Sequence, residues 1–131
     1  MRLIVGSFVL AATLGVEAAP CAGIDRALSH ADAERLDPIV AAQLDTTSAD
    51  VVERFRSGRW SVLHVATRVA DPAYLFFDDD PARRHFVTMW SGAAAPFEKR
   101  EILKWVKKNA PGIPDDLASC FASRVSEHGA R

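Results

Sequence analysis

Four histidines, a run of three aspartates and two cysteines are the residues of this chain closest to chemistry. His64 and His85 fall on the first and third of three stretches that read as strands; His30 and His128 lie outside them. If those two strands are neighbours, the imidazoles meet, and either histidine beside a carboxylate could act as a general acid or base. A metal centre needs a third and usually a fourth ligand. Asp71 or Asp78 could be added, but no His-x-His or Glu-x-x-His spacing supports a site, so the reading assigns no metal and no cofactor. Two unrelated sheet histidines are the plainer expectation.

Asp78, Asp79 and Asp80 are the densest charge in the chain, with Arg83 and Arg84 just beyond. A calcium loop alternates its oxygen ligands and carries a Glu at position twelve. Position twelve from Asp78 is Met89, so that pattern fails. The run reads either as a solvated turn in which Asp80 fixes Pro81, or as a mixed-charge recognition loop. Ser61 and His64 are three apart on a strand, hence on opposite faces, which argues against a nucleophile–base pair. Ser91 follows Trp90 without a nucleophile elbow. Neither a phosphate-cradling glycine loop nor a dinucleotide fingerprint is present. Glu98 and Glu101, one helical turn apart beside Lys99 and Arg100, read as a salt-bridged surface. Trp60, Trp90 and Trp105 read as core bulk, with one of them a possible occupant of a binding surface.

Cys21 and Cys120 lie near opposite ends of the chain. In an oxidising compartment an even pair points to one bridge. A redox pair would sit close together, as in Cys-x-x-Cys. The compartment is read from the N-terminus. Met1-Arg2 is followed by an apolar run from Leu3 to Val16 of about 14 residues, short of the ~20 that span a membrane. Ala18 and Ala19 come next. That order is a secretory signal peptide, with cleavage expected after Ala18. An uncleaved anchor or a buried N-terminal helix fits less well, and a lipoprotein signal is poorly matched by Ala18 and Pro20 ahead of Cys21. The expected arrangement is a signal peptide over 1–18 and a single domain over 19–131.

The 131 residues carry a formal charge of −1, and losing Arg2 and Glu17 leaves it unchanged. Bulk electrostatics therefore gives no case for nucleic acid or an anionic membrane surface. With 49% hydrophobic residues, seven Gly and seven Pro, collagen-like, low-complexity and disordered classes are excluded.

The elements that must position these residues are read from periodicity. Ile24 to Leu36 has a helical apolar face, and Pro38 should end or kink it. Ile39, Val40 and Leu44 fit one or two further turns. Asp50 and Glu53 resemble a capping box for a short helix carrying Val51, Val52 and Phe55, stopped by Gly58. Alternation over Trp60–Thr67 reads as a strand, Tyr74–Phe77 as a second and Arg84–Trp90 as a third. Pro96 then opens a helix carrying Ile102, Leu103 and Val106, and Pro114–Asp116 opens a last one with Leu117, Cys120, Phe121 and Val125 at helical spacing. The expected class is α+β: N-terminal helices, a three-stranded antiparallel meander, and two C-terminal helices packed on the sheet, the helices covering one face.

Size, compartment and missing catalytic signature together suggest a small exported, non-enzymatic protein-binding module, an inhibitor or immunity-type protein whose partner is another exported protein. The binding surface expected is Asp78, Asp79, Asp80, Arg83 and Arg84. Two rivals remain: a periplasmic enzyme using His64 or His85 with a carboxylate in a cleft, and a small-ligand carrier with an apolar cavity.

Overall fold

Asp50–Ser57 (β1) and Trp60–Ala66 (β2) form an antiparallel hairpin around Gly58-Arg59. Gly58 has φ +60° and Arg59 does not share that sign, the pattern of a tight hairpin turn whose first central residue is glycine. Ala73–Phe77 (β3) and Thr88–Ser91 (β4) extend the sheet in sequence order, every pair antiparallel. Helix α1 spans His30–Gln43, α2 Lys99–Asn109 and α3 Asp115–His128, with a 3-10 turn at Pro96–Glu98 before α2. A computed structural model of the chain describes Gly6, Val9 and residues 19–92 and 94–128. The expected signal peptide over 1–18 lies, apart from Gly6 and Val9, outside the described residues.

The class is α+β with an antiparallel sheet, as expected, but the sheet has four strands and helices on both faces. Phe55, Val62, Tyr74 and Phe76 pack with Ile102, Val106, Leu117 and Phe121 of α2 and α3. On the other face Val51, Leu63, Val65, Leu75 and Phe77 pack with Leu36, Val40 and Ala41 of α1. A strand buried on both sides is apolar at successive positions, which is why all five residues of β3 are buried.

The additional strand is the segment that reads as a short helix. Val51 pairs with Val65 and Glu53 with His64, so Val52 is an extra residue in a β-bulge. The bulge reverses which residues face which side. Val51 enters the α1 face, Phe55 the α2/α3 face, and Val52 is left exposed. Apolar residues at 51, 52 and 55 imitate helical spacing, yet the strand makes them. Gly58 is accordingly a hairpin residue and not a helix stop.

Two other boundaries differ from expectation. Residues 24–29 are not helical: Asp25 bridges Arg56 along the outer edge of β1, covering part of an edge that would otherwise be open. Helix α1 begins later, capped by the Ser29 hydroxyl accepting from the Asp32 amide at 3.0 Å. It also continues through Pro38. Leu36 and Val40 are both buried in the sheet-side core, and packing of that face holds the helix where local propensity would stop it. At the third expected strand, only Thr88–Ser91 joins the ladder. The Gln43 side chain claims the backbone upstream: its amide nitrogen donates to the carbonyls of Pro81 (2.9 Å) and Arg84 (3.2 Å), and its oxygen accepts from the Phe86 amide (2.9 Å).

Cys21 and Cys120 are joined by a disulfide across 99 residues. Cys120 is buried on α3, and the bridge holds the N-terminal segment against that helix.

Candidate functional site

Register on the α1 face sets the site. Arg54 pairs with Leu63, and Arg56 with Ser61. Residues two apart on a strand share a face, so two guanidinium groups, a hydroxyl and an apolar side chain lie side by side near the hairpin end. Arg35 and Leu36 of α1, Gly58 and Arg59 of the turn, Trp60, and Asp79, Asp80 and Pro81 of the β3–β4 loop complete a cleft of about 290 Å³.

Acids from the N-terminal segment hold two of its arginines. Arg54, 7% exposed, donates through Nε and Nη2 to the Ala27 carbonyl (3.1 and 2.7 Å) and through Nη2 to Asp32 (3.1 Å). Arg56 Nη2 meets Asp25 Oδ2 at 2.6 Å. The Asp25 carboxyl is held below its ordinary value by the Ala27 amide first and then by Arg56; that of Asp32 is lowered by Ser29 and then by Arg54. Arg35 and Arg59 form no ion pair among the described residues.

The five residues expected at a binding surface divide. Asp79 and Asp80 line the cleft. Each spends one oxygen on its own turn: Asp79 Oδ1 accepts from the Asp80 amide (2.7 Å) and Asp80 Oδ1 from the Ala82 amide (3.0 Å). Asp78 instead faces Arg84, Oδ1 to Nε 3.4 Å, while Arg83 is exposed and not among the cleft residues. Of the tryptophans, Trp60 reaches the cleft as well as the core; Trp90 and Trp105 pack on the core through Phe121 and Phe76. Arg35, Arg54, Arg56 and Arg59 are the residues sequence reading missed. Taking residues 50–57 as a helix hid the period-two placement of Arg54 and Arg56.

The histidines do not meet. β3 separates the strand of His64 from β4, and His85 lies before β4, its Nδ1 2.9 Å from the Phe86 carbonyl and its Nε2 3.3 Å from that of Gln43. His64 does adjoin a carboxylate. Its Nδ1 is 3.3 Å from Glu53 Oε1, and its ring stacks on Tyr74 at 4.2 Å. Glu53 also takes Arg124 Nη2 at 2.8 Å on both oxygens and Arg26 at 3.3 Å. Burial pushes the Glu53 carboxyl up, but the Arg124 hydrogen bonds and charge, then His64, outweigh it and hold it below the usual value. A carboxylate so engaged is a weak proton acceptor. We read the group as a tie between β1, β2 and α3.

The tie has a pH signature. Because the folded-state pKa of Glu53 is lowered, its contribution is present above the unfolded value and is lost as pH falls through the folded one. Glu53→Gln should cost about 1 kcal/mol at pH 7, discounted for partial exposure, and should flatten the acid limb of stability. Urea midpoints measured from pH 7 to pH 3 check this; parallel curves for the two proteins would refute it.

Compared with protein-family models, curated proteins and solved structures, the chain matches none. Among the described residues no three or more His, Cys, Asp or Glu are grouped so as to hold a metal ion, and no helix is long and apolar enough to cross a membrane.

Proposed function

We propose that the protein is an exported binding module, of inhibitor or immunity type, that engages another exported protein through the cleft between α1, the β1–β2 hairpin and the Asp78–Arg84 loop. One observation carries the reading. Arg35 and Arg59 line the same cleft as Asp79 and Asp80, yet none of these four side chains forms an ion pair among the described residues. Spare charges of both signs around a concavity are suited to a partner with complementary charges, and such complementarity selects partners and speeds encounter. The apolar N-terminal run followed by small residues and the disulfide support export.

Capture from the native exported fraction, with tagged wild type beside two cleft variants, tests the proposal. Wild type should retain a stoichiometric partner. Asp79→Ala/Asp80→Ala and Arg35→Glu/Arg59→Glu should each weaken it about tenfold or more, the effect of roughly 1.4 kcal/mol. Lys104→Glu, outside the cleft on α2, should bind as wild type does. A partner held equally by all four proteins would overturn the assignment.

A further inference from the structure

The floor of the cleft differs from its rim. Arg54 and Ser61 are 7% and 6% exposed, both buried, and both line the cleft. The bonds of Arg54 run through Nε and Nη2, leaving Nη1 with no partner among the described residues. The Ser61 hydroxyl likewise has no partner among them. Neither Arg54 Nη1 nor Ser61 Oγ is among the buried atoms left without a partner, so the free donors of these two residues open to the cleft and not into the core. Two donors are thus fixed at the base of a concavity, in side chains already ordered by packing. Arg54 is further held by Ala27 and Asp32, so little rotamer freedom is lost when its remaining edge is used.

Around that floor stand Arg56, with one nitrogen committed to Asp25, and Arg35 and Arg59, with none committed. Planar guanidinium groups match the geometry of carboxylate and phosphate, and hydrogen bonds between ionised partners are the stronger kind. Asp79 and Asp80 stand on the loop that completes the cleft, where they favour a ligand that also carries a donor or a positive charge beside its anionic end.

We propose that the cleft is an oxyanion site. It takes the carboxylate or phosphate group of whatever it binds: the Arg54 and Ser61 floor donates the hydrogen bonds, and Arg35, Arg56 and Arg59 supply the charge. This rests on the same cleft being the binding surface, and it adds the chemistry of the group inserted there.

Amide NMR spectra of the intact, oxidised protein at low ionic strength are the test, titrated separately with succinate, inorganic phosphate and putrescine. Succinate or phosphate should give saturable shifts centred on residues 54–63 and on Arg35, and the tighter of the two tells carboxylate from phosphate. Putrescine should not shift the floor. Ser61→Ala and Arg59→Gln, neither of which removes core volume, should each raise the dissociation constant about tenfold, as loss of one charge-assisted hydrogen bond implies. No saturable shift with either anion would overturn the inference. So would shifts unchanged in the Arg35→Gln/Arg59→Gln protein, which would mark diffuse association with surface charge. If the anions fail while capture of a partner still depends on Arg59, the oxyanion chemistry falls and the binding role stands. If both fail, both fall.

Discussion

Replacing Cys21 and Cys120 together with Ala should lower the unfolding free energy by about 3 to 5 kcal/mol. The bridge closes 99 residues, and cross-linking a loop of about 100 residues removes roughly 4.7 kcal/mol of chain entropy from the unfolded ensemble in the simplest account. Ala is the right replacement because Cys120 is fully buried among apolar side chains, where a serine hydroxyl would add its own burial penalty. Against a total stability of about 5 to 15 kcal/mol for a domain, the loss is large. Urea unfolding of the oxidised wild type, the reduced wild type and the double variant measures it. The last two should agree within about 0.5 kcal/mol, since effects of the substitution on the unfolded ensemble are typically a few tenths of a kcal/mol. Equal midpoints for all three would show that the bridge constrains nothing the fold does not already hold.

Phe121→Ala should be comparably damaging, at about 3 to 5 kcal/mol. Phe121 is 1% exposed. Its ring meets Phe76 at 4.9 Å, Tyr74 at 5.2 Å and Trp90 at 5.7 Å, all three edge-on, so one side chain of α3 contacts two adjacent strands. Removing it leaves a cavity whose walls are β3, β4 and a helix anchored through the neighbouring Cys120, and such a site collapses poorly. Phe97→Ala is the control: Phe97 is 84% exposed, and its loss should change stability by less than about 0.5 kcal/mol. The same denaturation series measures both. A Phe121→Ala cost below 1 kcal/mol would mean that α3 is held by the bridge and the Glu53–Arg124 contact instead.

What the sequence made legible depended on whether each pattern had one cause. The two C-terminal helices carry their apolar residues at 3.6-residue spacing; α3 begins where expected, just past Pro114, while Pro96 opens a 3-10 turn and α2 itself starts three residues later at Lys99. Cys21 and Cys120 allow a single intramolecular pairing, and it forms. β1 was hidden because a bulge at Val52 shifts the apolar residues out of alternation and into helical spacing. The shortened β4 was hidden because the competitor for its backbone, Gln43, is some forty residues away in sequence. At the site, the acidic loop was visible as local charge density. The arginines facing it were not, because Arg35, Arg54 and Arg59 come together only through the packing of α1 on the hairpin.

The position of the disulfide has a bearing on how the chain is made. Whether the ribosome or passage into an oxidising compartment delivers the chain N-terminus first, Cys21 arrives 99 residues ahead of its partner, a gap on the order of 5 to 20 s at synthesis rates of roughly 5 to 20 residues per second. All four strands, each pairing with its neighbour in sequence, are delivered in that interval. The sheet can therefore assemble from local hairpins before the covalent closure exists. The bridge then acts as a latch on a fold already reached, and Cys21 must remain a thiol, unspent on any other cysteine, until the last helix arrives.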